Sequence, residues 1–231
     1  MNRLAVVPAR GGSKRIPQKN IRLFAGRPML HHPVRAALES GLFDEVMVST
    51  EDAEISAVAR EAGAEVPFLR SPATASDTAT LADVLLEVLA GYRRLGRAPA
   101  VVCCLLPTAV FVTPEMLRQG WQRLETSHAP GVVAVTRFGF PVQRALAMDV
   151  HGGVRMMWPQ HTNTRSQDLA PAFHDAGQFY WARVAAFEEH RSIWMPGALG
   201  HVLPSSAVQD VDTEEDWQQA EFKHAWLSRP R

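Results

Sequence analysis

Apolar residues fall in two rhythms along the first 138 positions: short unbroken runs, and longer stretches where they recur every three or four residues. RLAVVP (3–8) is the first run and reads as a short buried strand. Pro28 at a first turn and Gly41 just past an end predict a helix over 28–40. DEVMVST (44–50) predicts a strand, Glu51 to Ala62 a helix closed by Gly63, and EVPFL (65–69) a further short strand. RSPATASDT (70–78) reads as a loop. Leu81, Val84, Leu85, Val88 and Leu89 share one helical face, which predicts a long helix from Thr80 to Leu95. AVVCCLL (100–106) is apolar without interruption, as in a strand covered on both faces. Thr113-Pro114-Glu115 opens another helix, and GVVAVTRF (131–138) is the next strand.

This alternation predicts an α/β fold of three layers, with a mostly parallel sheet between helices. Ligands of such sheets sit outside the C-terminal strand ends, where the loops after Pro8, Thr50, Leu69 and Leu106 all fall. After residue 138 the rhythm breaks. Short strands at 145–149 and 154–158 flank His151-Gly152-Gly153, a hairpin-like turn. Residues 138–176 are therefore a candidate excursion within a single domain spanning 1–231, and a helix over about 213–227 closes the chain.

A content of 46% hydrophobic residues in 231 supports one sizeable core. The formal net charge is zero, so no global basic field points to nucleic acid or to an anionic membrane. No stretch is long enough to span a bilayer, and the apolar run of MNRLAVVPAR is too short for a signal peptide, so a cytoplasmic enzyme is expected. Cys103 and Cys104 are adjacent on a strand and point to opposite faces, which leaves no disulfide framework.

Local charge is more informative than the total. The first acid is Glu39, and Arg3, Arg10, Lys14, Arg15, Lys19, Arg22, Arg27 and Arg35 precede it. That cationic segment points to an anionic ligand, while Asp210, Asp212, Glu214, Glu215 and Asp216 crowd together near the other end. RGGSKRIPQKN (10–20) follows the first strand directly. Gly11 and Gly12 permit positive φ and a close backbone approach, their N–H groups can form an anion nest, and the cations with Ser13 can take phosphate oxygens. The loop lacks the closing Gly-Lys-Ser/Thr of a Walker loop. Asp210 and Asp212 stand two apart, so an extended segment turns both carboxylates to one face, as a Mg²⁺ site requires. The competing reading makes Asp212 the N-cap of the last helix with Glu215 as its partner. His31 and His32 read as helix surface, and Trp158, Trp181 and Trp194 as packing or interface residues.

VPARGGSKRIPQKN (7–20) resembles the signature loop of the CMP–sialic acid synthetases, the cytidylyltransferases of nine-carbon sugar acids, and the resemblance covers most of the chain. Arg70 with Ser76-Asp77-Thr78-Ala79-Thr80 looks like the family's second nucleotide-contacting loop and helix start, and Gln209 to Thr213 like its metal-binding aspartate pair. LLPT (105–108) sits where the family has Leu-Gln-Pro-Thr, so Leu106 departs from the glutamine that meets the sugar. Ser166 to Leu169 and His174 to Trp181 are similar to the branch that activates pseudaminic acid.

The resemblance implies a nucleotide-diphospho-sugar transferase (Rossmann-like) fold, CTP and a nonulosonic acid as substrates, Mg²⁺ as cofactor, and a homodimer whose 138–176 excursion closes the partner's sugar site. It implies Arg10, Lys19, Asp210 and Asp212 as catalytic residues, with Asp210 and Asp212 on the metal. Ala9, Arg10, Gly11, Gly12, Ser13, Lys19, Asn20, Arg70, Asp77, Ala79 and Thr80 would then bind nucleotide. Leu106, Thr108, Arg165, Gln167, His174, Gln178 and Tyr180 would face the sugar. Sialic or legionaminic acid as acceptor, a non-catalytic nucleotide-binding module and a glycosyltransferase are the alternatives.

Overall fold

The computed structural model describes residues 2–229. Its elements run β1 (Arg3–Pro8), β2 (Leu23–Phe24), β3 (Arg27–Pro28), α1 (His31–Ser40), β4 (Glu45–Ser49), α2 (Ala53–Glu61) and the single turn α3 (Pro72–Ala75). Then come α4 (Leu81–Arg94), β5 (Val101–Leu105), α5 (Pro114–Glu125), β6 (Gly131–Arg137), β7 (Leu146–Met148), β8 (Val154–Met156), β9 (Phe173–Arg183), α6 (Val184–His190), β10 (Leu199–Leu203) and α7 (Glu214–Leu227). Six strands make the central sheet in the order β10-β6-β9-β5-β1-β4. β9 runs antiparallel to β5 and β6, and the remaining pairs are parallel.

Period-two alternation along the central strands sends side chains into two apolar layers. Ala5, Val7, Val48, Cys103 and Leu105 pack toward Val34 of α1, Ile55 of α2 and Leu117 of α5. Leu4, Val6, Met47, Val102 and Cys104 pack toward Leu85 and Leu89 of α4 and Phe187 of α6. Cys103 and Cys104 thus lie in different layers as free thiols, and burial pushes both above the ordinary thiol range. Among the described residues no helix is long and apolar enough to cross a membrane.

Several elements differ from the sequence expectation, each for a local reason. α1 starts at His31, because Pro28 pairs with Leu23 in the β2–β3 hairpin. EVPFL makes only the bridge Met47–Glu65, since Pro67 has no N–H with which to continue a ladder. The 70–78 loop contains α3. β9, α6 and β10 lie outside the predicted alternation; in β9 the exposed start Phe173-His174-Asp175, with two polar residues, conceals a strand whose segment from Gln178 to Ala182 is buried. β7 and β8 form the expected hairpin, but β9 begins at Phe173, so the segment outside the sheet ends at Ala172. Thr213 and Asp216 cap α7 reciprocally, which leaves Asp212 free of the capping role. His32 is half-buried rather than on the open surface: a ring nitrogen lies 3.0 Å from the Phe24 carbonyl, its ring packs edge-on to Phe24 and His224, and burial lowers its pKa.

Candidate active site

A third, smaller core places the site. Ile16, Phe24 and Met29 from the chain after β1 pack with Val110, Phe111, Val211 and Trp217. Burying a side chain such as Ile16 or Val211 contributes about 1.5–3 kcal/mol, so this cluster fixes the basic loop against the segment that leads into α7. Val211 is fully buried, and the alternation of an extended segment turns its neighbours Asp210 and Asp212 the other way. Both aspartates then line one cavity of about 420 Å³ with Arg10, Ser13, Lys19 and Thr108. It opens at the C-terminal ends of β1 and β5, as an α/β sheet leads one to expect.

The cations that the loop carries without local acids find acids elsewhere in the chain. Lys19 Nζ donates to the Val211 carbonyl at 2.6 Å and reaches Asp212 Oδ1 at 3.3 Å, tying the loop to the aspartate pair. Arg15 meets Asp212 Oδ2 at 2.8 Å. Across the loop, Arg10 meets Asp77 Oδ1 at 2.7 Å, Lys14 also pairs with Asp77, and Arg22 pairs with Glu214. Most of these pairs are solvent-exposed and hence individually weak. A polyphosphate, with several charged oxygens, can compete for the same donors.

Asp210 has no ion-pair partner among the described residues. Protein packed around its carboxyl, and secondarily the Asp212 charge, push its pKa above the ordinary carboxylate range, although the side chain still reaches solvent through the cavity. Two carboxylates on one wall, one held against desolvation and like charge, suit a divalent cation. Among the described residues no group of three or more His, Cys, Asp or Glu could form an all-protein cage. Two carboxylates beside a basic loop fit Mg²⁺, which keeps waters and takes phosphate oxygens.

The other expected residues divide. Leu106 and Thr108 line the cavity, and so does Asn20, whose Nδ2 donates to the Arg10 carbonyl at 2.9 Å. Ala9 is buried beneath the loop. Gly11 and Gly12 do not take the expected positive φ, and there is no preformed nest: Gly11 N–H donates to Glu51 Oε1 at 2.7 Å, and Ser13 N–H to the Gly11 carbonyl at 2.9 Å. Glycine is needed at 11 for closeness instead, because a Cβ there would stand 2.5 Å from Asp52 Oδ2, at the N-cap of α2. Arg70 is buried and spent on Ser49, donating to its Oγ at 3.1 Å and its carbonyl at 2.6 Å. Thr80 caps α4 with Asp83, and Ala79 precedes it.

The other sugar-facing candidates do not line this cavity. Arg165 pairs with Asp168 at 2.8 Å on an exposed 3₁₀ turn that includes Gln167. Tyr180 is buried with its hydroxyl on both Asp175 oxygens, at 2.9 and 2.8 Å. Gln178 is buried; its Nε2 donates to the Ala176 and Gly177 carbonyls at 3.1 Å, while its Oε1 has no partner. His174 lines a neighbouring cavity that shares Asp210. Sequence reasoning missed two residues. Glu51 props the loop through Gly11, and its place one residue before an N-cap gave no signal. Arg137 lines that second cavity, and a lone charge ending an apolar strand was the available cue.

Comparison with known proteins agrees with this geometry. The family described as cytidylyltransferase matches residues 4–202. The chain is 38% identical over 222 residues to a pseudaminic acid cytidylyltransferase of Campylobacter jejuni, covering 96% of both chains. It is 32% identical over 228 residues to a CMP-N,N'-diacetyllegionaminic acid synthase of Legionella pneumophila, covering 96% of this chain and 95% of that one. In fold it is similar to a CMP:2-keto-3-deoxy-manno-octonic acid synthetase solved with CTP, with a TM-score of 0.69 at 17% identity, over 98% of this chain and 100% of that one. These matches set aside the glycosyltransferase and non-catalytic alternatives: the chain belongs to the cytidylyltransferase family and is a nucleotidyltransferase.

Proposed function

We propose that this enzyme transfers CMP from CTP to a nonulosonic acid, with pseudaminic acid as the preferred acceptor, releasing pyrophosphate. The observation that carries the reading is one cavity with a cationic loop on one wall and Asp210 and Asp212 on the other, joined through Lys19. The acceptor's anomeric hydroxyl attacks the α-phosphorus and pyrophosphate leaves in line, so catalysis rests on positioning and on neutralising charge. Arg10, Ser13 and Lys19 take triphosphate oxygens, and Asn20, which lines the same cavity, serves the cytidine portion; Arg70, held on Ser49, supports the strand end beside it. Bound Mg²⁺ would neutralise phosphate charge and lower the pKa of the attacking hydroxyl. Asp210 and Asp212 would hold it. The relatives at 37–38% identity bear the pseudaminic acid name, and Leu106, the departure from the family glutamine that argues against sialic acid, lines the loop cavity. Pyrophosphate release from CTP with such an acid tests the reading. A chelator should stop it, and turnover without any divalent cation would remove the metal role.

The same reading makes the enzyme a cytoplasmic homodimer. The excursion exposes Phe140, Leu146, Met148, Val154 and Met157, apolar side chains that a partner subunit would cover. Light scattering at micromolar concentration should give twice the 25.5 kDa chain mass; a monomer would refute the assembly.

A further inference from the structure

We propose that Arg137, rather than the sugar-facing candidate Arg165, holds the carboxylate of the acceptor. The inference rests on the proposed activity with a sugar acid. Transfer requires the acceptor hydroxyl to lie against the nucleotide, so the acceptor's pocket must adjoin the loop cavity. A second cavity of about 380 Å³ does so and shares Asp210 with it. Its walls include Arg137, His174, Asp175 and Lys223.

An inventory of that pocket leaves one cationic side chain with no partner of its own among the described residues. Asp175 is engaged by the Tyr180 hydroxyl and accepts from Gly177 N–H at 2.9 Å. Lys223 Nζ is spent on the Val208 carbonyl at 2.6 Å and Gln209 Oε1 at 2.9 Å. His174 Nδ1 faces the Asp175 carbonyl at 2.8 Å, and its ring packs on Phe138. Arg137 makes no side-chain hydrogen bond or ion pair among the described residues, and its planar fork matches a carboxylate bidentately. Its backbone is fixed as the last residue of β6, opposite Phe173 of β9, at the sheet end that carries the reactive loop. A guanidinium on a rigid strand end is well placed to orient a small substrate. Arg165 sits on a 3₁₀ turn and is already neutralised by Asp168.

Arg137→Ala should raise the acceptor KM roughly 10–100-fold, the range for losing a hydrogen bond to a charged group. The KM for CTP should stay within about twofold. Arg137→Lys should recover part of the loss, since a point charge replaces a fork. The decisive comparison uses the carboxamide of the same acid. The unsubstituted enzyme should discriminate against the amide, and Arg137→Ala should lose that discrimination. Undiminished discrimination in Arg137→Ala, or an unchanged acceptor KM, would overturn the assignment while leaving the proposed activity intact. No turnover of any nonulosonic acid by the unsubstituted enzyme would instead overturn the activity, and the assignment with it.

Discussion

Asp210→Asn is expected to lower kcat by at least about a hundredfold, the scale on which a single preorganised electrostatic contact is lost, and at the same time to raise the melting temperature of the ligand-free protein. The two effects share a cause. In the proposed reading the carboxylate lining the cavity holds a cation, and without one it is a charge kept partly desolvated beside Asp212. The sign follows from its raised pKa. Below the ordinary carboxylate value both folded and unfolded chains are protonated, and Asp210 has no effect on stability. As pH rises from that value toward the raised one, the unfolded chain ionises first and stability is lost. Above the raised value the whole penalty persists. Asparagine should therefore melt higher at pH 7 and indistinguishably near about pH 3. The gain is modest because the side chain keeps contact with water. Thermal melts at both pH values, paired with steady-state kinetics, check it; a variant that melts lower at pH 7 would show that Asp210 braces the fold.

Lys19→Ala carries the second large effect. Its ammonium is the least exposed of the paired loop cations, with its side chain at 19% relative exposure against 66% for Arg15, and it touches both the Val211 carbonyl and Asp212. Its loss unties the loop from the aspartates and, in the proposed reading, removes a triphosphate donor as well. The expected fall in kcat/KM for CTP is about 10²–10³. Arg15→Ala removes a more solvated partner of the same carboxylate and should cost less than about tenfold. Equal losses in the two variants would mean that net loop charge, rather than the Lys19 bridge, does the binding. Lys19→Arg should rescue little, because a planar fork cannot replace a compact ammonium 2.6 Å from a carbonyl oxygen.

The central part of the fold was legible because it obeys the simplest rule. Continuous apolar runs such as Val101–Leu105 became strands buried on both faces, and the Leu81, Val84, Leu85 stripe became α4. What escaped was made by long-range context. β9 becomes a strand because β5 and β6 leave an open slot between them, and neighbours on both sides outweigh the polar residues at its start. At the site, the spacing of Asp210 and Asp212 and the basic loop could be read directly, since both depend on local geometry. The satellite core that brings them together through Ile16 and Val211 joins residues too far apart in sequence for any periodicity to reveal. The same limit explains Arg165 and Arg137. Local sequence identifies an arginine, but only the packed chain shows which one is already neutralised.

The most direct test is pyrophosphate release from CTP and Mg²⁺ with pseudaminic, legionaminic and N-acetylneuraminic acids in parallel. The account predicts release with pseudaminic acid well above the other two. Release with none of the three, in a protein that still binds CTP, would contradict it.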